Sequence, residues 1–215
     1  VEGALARAKD ANFRLVVDAV LAQRTLLSVL QDGEPRGERM AEPVEGAPVT
    51  LVDLAYWTYR LQAGLLFGDL AEALESRRRA QACVAVARNF AECGDLAFYG
   101  ALALLQLRER DQAQEAALRH HLASLDGWAA ECPENFGARR ALVLAEQARA
   151  LGHLAEAADL FSTAVTQARR HGFTQVEALA AELAAAFHAG LGREIERRAY
   201  LRHALAAWQR WGAAG

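Results

Sequence analysis

Lysine is almost absent from this chain: of 24 basic side chains in 215 residues, Lys9 is the one ammonium and the others are arginines. That scarcity excludes a Walker-type phosphate loop, which needs a lysine on the nucleotide phosphates. Proline is scarce too, at 4 residues, and aromatics make up only 7%. β sandwiches and barrels draw on β-branched and aromatic side chains, so a chain this rich in alanine and leucine argues against both. No apolar run approaches the roughly 20 residues that a membrane-spanning helix requires, so no membrane insertion is expected. Charge of one sign is also lacking. A net charge of −3 removes the basic field on which nucleic-acid binding rests, and nucleic acid is not expected as a partner.

Three cysteines, Cys83, Cys93 and Cys132, are an odd number at no metal-ligand spacing. They predict reduced thiols serving as small buried residues in a cytoplasmic setting. No basic start leads into an apolar stretch, so no signal peptide is read. The chain begins at Val1 rather than methionine and stops abruptly at Ala213-Ala214-Gly215. Those two ends predict a piece of a longer polypeptide.

What is present is helical period. Leu5, Ala8, Phe13, Val16, Val17, Val20, Leu21, Leu27 and Leu30 recur at three- and four-residue steps through the first segment, which Gly33 ends. The stretch 33–49 holds three of the four prolines and four acidic residues, and it predicts a long surface loop. Thr50 is the expected N-cap of the next helix, with Trp57 and Leu61 on its apolar stripe. Glycines then punctuate the pattern at Gly68, Gly152, Gly172 and Gly192, each placed as the residue just past a helix. Helices are expected near 70–88, 96–107, 111–131, 137–151, 154–171, 174–191 and 193–211, giving about nine in all. No segment shows a strand's two-residue alternation. The fold class is all-α.

Short turns between helices of similar length predict antiparallel hairpins. Gly68-Asp69-Leu70-Ala71-Glu72-Ala73 and Gly152-His153-Leu154-Ala155-Glu156-Ala157 match at five of six positions, and Ala80 and Ala164 each follow the last alanine by seven residues. That is the spacing of the second helix in a tetratricopeptide repeat, where the small residues let neighbouring helices close up. Gly192 opens a weaker copy, with Ala204 in place and Arg197 where the first alanine belongs. The pattern predicts one TPR-like solenoid domain over 1–215, built of degenerate repeats that are clearest at 50–88, 137–171 and 174–211. An irregular helical bundle with chance Gly-Asp-Leu turns is the alternative.

Chemistry-bearing motifs are missing. There is no Gly-x-Ser-x-Gly elbow and no His-Glu-x-x-His zinc helix. His120 and His121 are adjacent and so point to different parts of one helix, unlike a chelating i, i+4 pair. His153 and His171 flank helix ends, where an imidazole suits the terminal carbonyls. Cys132 directly precedes Pro133, so Pro133 is expected to stop a helix, Asn135 to cap the next, and Phe136 to seal the joint. The arginine runs at 77–79, 139–140, 169–170 and 197–198 sit among acids and read as solvated helix faces. Trp57, Trp128, Trp208 and Trp211 are expected as core or hairpin-seam anchors. No enzyme, cofactor or metal site is read.

Several runs together carry a family resemblance. They are Cys132-Pro133-Glu134-Asn135-Phe136, Leu144-Ala145-Glu146 with Ala148-Arg149, and the stretch from Ala155 to Ala168. His171-Gly172-Phe173-Thr174-Gln175, Glu177-Ala178-Leu179-Ala180, Glu182-Leu183-Ala184, Ala199-Tyr200-Leu201-Arg202 and Trp211-Gly212-Ala213 complete the set. In these the chain resembles the helical region of large bacterial signalling proteins that combine a serine/threonine kinase, an AAA-type ATPase and a sensor histidine kinase. It departs from them at Ala181 and at His188, where a polar residue and a tyrosine are usual, and in its short acidic loop. The resemblance implies a spacer between the ATPase and the downstream sensor kinase. The family's kinase, ATPase and phosphoacceptor motifs have no matching positions here.

Two functions follow as expectations. One is a non-catalytic scaffold that binds a protein or peptide segment, including other domains of the same polypeptide, along a groove. The repeat register places Thr58, Gln62, Arg139, Leu142, Glu146, Arg149 and Glu182 on that groove. Homodimerisation through an end helix is a further expectation. The other function is a standalone helical enzyme or small-ligand regulator with a pocket near His188 and His203.

Overall fold

A computed structural model describes residues 2–11, 13–32, 41–43, 48–86 and 91–212, and every regular element among them is helical. The α-helices are α1 (Glu2–Asp10), α2 (Arg14–Asp32), α3 (Leu51–Leu66), α4 (Leu70–Cys83) and α5 (Ala91–Leu105). They continue with α6 (Gln112–Glu131), α7 (Pro133–Leu151), α8 (Leu154–Arg170), α9 (Thr174–Gly190) and α10 (Glu194–Trp211). A short 3-10 turn over Val84–Val86 extends α4. Most of the expected 33–49 loop, the end at Gly33 and the end near Arg88 lie outside the described residues.

Among the described residues ten α-helices stand where the periodicity predicted nine, because the first apolar segment is two helices. The ladder breaks after Asp10, and the Phe13 amide reaches back to the Ala8 carbonyl at 3.0 Å. The expected loop at 132–136 also shrinks. Pro133 starts α7 rather than merely ending α6, since its fixed φ and missing N–H suit the first helical position. Cys132 is the sole residue between the two helices, and Asn135 falls inside α7 instead of capping it. Phe136 does seal the joint, its ring centroid 5.3 Å from that of Trp128. Bounds of α8, α9 and α10 agree with the periodicity to within one residue.

Helix starts follow local chemistry. The Thr50 amide donates to Asp53 Oδ2 at 2.7 Å ahead of α3. At α6 the pairing is reciprocal: Asp111 Oδ1 accepts from the Gln114 amide at 2.8 Å, and Gln114 Oε1 accepts from the Asp111 amide at 2.9 Å. Such a box satisfies two amides that the helix leaves without partners.

The chain divides into two compact units, 1–103 and 104–215. In the first, α1 packs on α2, α2 on α3 and α3 on α4. Leu54, Leu61, Ala73 and Ala80 are fully buried there, with Trp57 beside them at 6% exposure and capped by the Arg79 guanidinium 4.5 Å from its ring. The α3–α4 approach is close enough that a Cβ on Gly64 would lie 2.9 Å from the Ala73 amide nitrogen. In the second unit each helix from α6 to α10 packs on the next, and α7 also touches α9. Phe161 of α8 and Phe187 of α9 meet in that core, 5.3 Å apart.

Four interhelical turns share one design. Gly68, Gly152, Gly172 and Gly192 all take positive φ, between 70° and 79°. After each glycine the next amide donates back across the turn: Asp69 to Gly64, His153 to Ala148, Phe173 to Ala168 and Arg193 to His188, at 2.8 to 3.0 Å. This six-to-one bond is the Schellman closure, and it needs the left-handed conformation that glycine adopts without steric cost. Five residues past each glycine stand Ala73, Ala157, Glu177 and Arg197. The two alanines are wholly buried, Glu177 is 3% exposed, and Arg197 is half-buried. Twelve residues past, Ala80, Ala164, Ala184 and Ala204 are all buried.

Candidate functional site

The seven groove positions divide by burial. On α3, Thr58 and Gln62 are 0% and 5% exposed, so their side chains are committed to the interior of the first unit. On α7, Leu142 is a core residue at 0% and Glu146 is buried at 5%. The expected open strip is therefore reduced to Arg139, Arg149 and Glu182, because the helix faces carrying the other four pack inward. Arg149 Nε and Nη2 both donate to Glu146 Oε2, at 2.9 and 2.7 Å, so these two residues form an ion pair along one helix. Arg140, next to Arg139, donates instead to Asp126 of α6. Glu182 is exposed on α9, and its Oε2 accepts from Trp208 Nε1 at 3.2 Å.

The seam between α9 and α10 gathers the second set of candidates. His188 is 5% exposed, stacks on Tyr200 at 5.4 Å with 13° between planes, and meets the Phe187 ring edge-on at 5.1 Å. Its buried Nδ1 has no hydrogen-bond partner among the described residues. Burial pushes the imidazole below its ordinary value of 6.5; Arg193 adds to that shift and Glu196 opposes it. His203 is bound elsewhere. Its Nε2 lies 2.6 Å from Glu177 Oε1, while Arg210 Nη2 donates to Glu177 Oε2 at 2.8 Å. The two histidines thus have different partners. Glu177, buried near the start of α9, holds a cation or imidazole on each carboxylate oxygen, and its position also favours negative charge. Sequence reasoning did not assign Glu177 or Arg210 a role; the available signal was an acid at the small-residue position after Gly172.

Other chemistry-bearing residues stand apart. His120 is exposed and His121 is 2% exposed, consistent with adjacent side chains leaving one helix in different directions. Among the described residues, no three His, Cys, Asp or Glu side chains come together as a metal site requires. Among them, too, no helix is long and apolar enough to cross a membrane.

The first unit contains a pocket of about 300 Å³ between α2, α3 and α4. Ala22, Leu26 and Val29 form one wall and Ala63 and Gly64 another, with Tyr56, Tyr59, Arg60 and Glu72 also lining it. Arg60 Nε donates to Glu72 Oε1 at 2.6 Å and Nη1 donates to Tyr56 Oη at 3.3 Å. The Tyr59 phenol is pushed up to about 12, first by burial and then by the negative charges of Glu92 and Asp95. It therefore stays neutral at every physiological pH. The chain matches no family model, no curated protein and no solved structure.

Proposed function

We propose that this chain is a non-catalytic scaffold of TPR-like helical hairpins that binds a protein segment within a multidomain signalling kinase. The observation that carries the reading is the repeated turn: four glycines with the same Schellman closure, followed in two copies by buried alanines at the fifth and twelfth positions. Stacked hairpins of this kind contact mainly their neighbours and leave side chains for a partner on one face. The placement between an ATPase and a sensor histidine kinase, and the cytoplasmic setting, rest on the resemblance of 128–213 to such proteins. Arg139, Arg149 and Glu182 supply the charged contacts, which favour an acidic or mixed-charge segment.

An immunoblot of source cells tests the context. A band several-fold above 23.3 kDa supports a module of a larger kinase, and a band at 23.3 kDa overturns that placement. Binding to flanking domains of the same polypeptide, measured by titration calorimetry, tests the surface. Arg139→Glu and Arg149→Glu are expected to weaken association about tenfold, as one lost charged contact of roughly 1.4 kcal/mol would. Unchanged association in both variants removes the groove.

A further inference from the structure

We propose that the outer face of α10 docks an amphipathic helix of another protein, seated on Leu201 and Leu205 as α9 is seated on α8, with acidic residues beside Arg198 and Arg202. The inference rests on packing within the second unit. It is independent of the Arg139 and Arg149 surface and of the signalling context.

The repeated turn supplies the register. Nine, thirteen and sixteen residues past Gly152 stand Phe161, Val165 and Ala168, all buried in α8, which packs on both α7 and α9. α9 covers Phe161, whose ring meets that of Phe187 at 5.3 Å. The same steps past Gly192 reach Leu201, Leu205 and Trp208 on α10. There Leu201 and Leu205 are 40% and 55% exposed, and Trp208 is half-buried. Ala204 is buried as its counterpart Ala164 is, so α8 and α10 are set in the same rotation about their axes. The turn does not itself demand apolar side chains, because the first two of these positions past Gly68 are Arg77 and Gln81. A helix face that meets only water in a stack of hairpins is expected to be polar. On α10 it carries two leucines at i, i+4, the anchor spacing of a helix laid against a helix.

Charge narrows the partner. Arg197 Nη1 and Arg198 Nε both donate to Glu194 Oε1, at 2.9 and 2.7 Å, so one carboxylate serves two guanidiniums. Arg202, one turn past Arg198 and next to Leu201, is exposed and makes no ion pair among the described residues. Glu182 of α9 stands at the opposite end of the stripe, where it accepts from Trp208 Nε1. The edge along Arg198 and Arg202 is therefore left with positive charge that acids on the docked helix match and bases oppose.

The probe is a labelled synthetic peptide with the sequence of residues 173–191, which spans α9, the helix on the equivalent face of α8. Fluorescence anisotropy against the full chain is expected to show saturable one-to-one binding. Leu205→Glu in the chain should weaken it about tenfold or more, as the loss of one buried leucine does. Glu177→Lys and Glu182→Lys together in the peptide should also weaken it about tenfold, and Arg202→Glu in the chain should abolish that preference. No saturable binding, equal affinity of the two peptides, or binding unchanged by Leu205→Glu overturns the proposal. So does a chain that sediments as a dimer and becomes monomeric on Leu205→Glu, because the face then belongs to a second copy. Should Leu205→Glu lose its helical circular dichroism, Arg202→Glu alone decides, and a charge preference unchanged in that variant refutes the assignment.

Discussion

His203 Nε2 lies 2.6 Å from Glu177 Oε1, joining the middle of α10 to the first turns of α9 across 26 residues of sequence. Arg210 holds the other oxygen of the same carboxylate, at 2.8 Å. Glu177 is buried at the position where the turns after Gly68 and Gly152 place Ala73 and Ala157. A buried charge with partners is stable only while those partners remain.

That asymmetry gives a first prediction. Arg210→Ala and His203→Ala each leave the buried carboxylate with one partner and should destabilise by about 1–3 kcal/mol. Glu177→Ala removes the charge together with its need for partners, leaves Arg210 and His203 to reach solvent, and restores the alanine of the sister turns. It should cost less than either, within about 1 kcal/mol of the parent chain. Urea unfolding at neutral pH ranks the three. A larger loss for Glu177→Ala than for Arg210→Ala would show that the network itself holds α9 and α10 together.

His188 makes stability depend on pH. Its folded value is held below the ordinary 6.5, chiefly by burial, so the unfolded chain takes up the proton first as pH falls. The contribution is complete above about 6.5 and declines as pH drops through the interval down to the folded value. His188→Phe keeps the ring packing on Phe187 and Tyr200 without a titrating nitrogen. Denaturation midpoints from pH 8 to pH 5 should fall less steeply in this variant. Parallel curves would assign the slope to other groups.

What was legible in the sequence is local. A glycine after a helix and an alanine five residues on depend on backbone conformation within one turn, so Gly68, Gly152, Gly172 and Gly192 marked their turns. The break after Asp10 was missed because the apolar stripe continues through it in both helices. Pro133 was misplaced because the same residue can follow one helix or begin another. Burial was harder to read. Leu142 and Thr58 share helices with exposed residues, and which side faces inward is decided by packing against the next helix, α8 or α4, which the local pattern does not show. Glu177 was invisible for the same reason, its partners standing 26 and 33 residues later.

Two helical glycines should respond oppositely to alanine. At Gly64 the new Cβ would sit 2.9 Å from the Ala73 nitrogen and 3.1 Å from the Asp69 carbonyl oxygen, both backbone atoms that cannot step aside. Gly64→Ala should force α3 and α4 apart and destabilise by about 2–4 kcal/mol. At Gly127, inside α6, a Cβ meets nothing within 4 Å. There the change relieves only the helical penalty of glycine, so Gly127→Ala should stabilise by about 0.5–1 kcal/mol. Thermal midpoints moving in the same direction for both would contradict the tight α3–α4 crossing.

The three thiols should separate by reactivity. Cys83 is 4% exposed, donates to the Arg79 carbonyl at 3.3 Å, and has its thiol pushed up first by burial and then by Asp53. Cys93 is 9% exposed, whereas Cys132 is half-buried at the junction of α6 and α7. Exchange with an aromatic disulfide reagent needs an accessible sulfur, which Cys132 offers and the other two offer only on opening. A single fast phase of one equivalent is expected at pH 8, with the remaining two equivalents slower by about 100-fold or more. Cys132→Ser should abolish the fast phase and leave the slow one in place. A second fast equivalent in the native chain would mean that α4 or α5 opens far more readily than its burial implies.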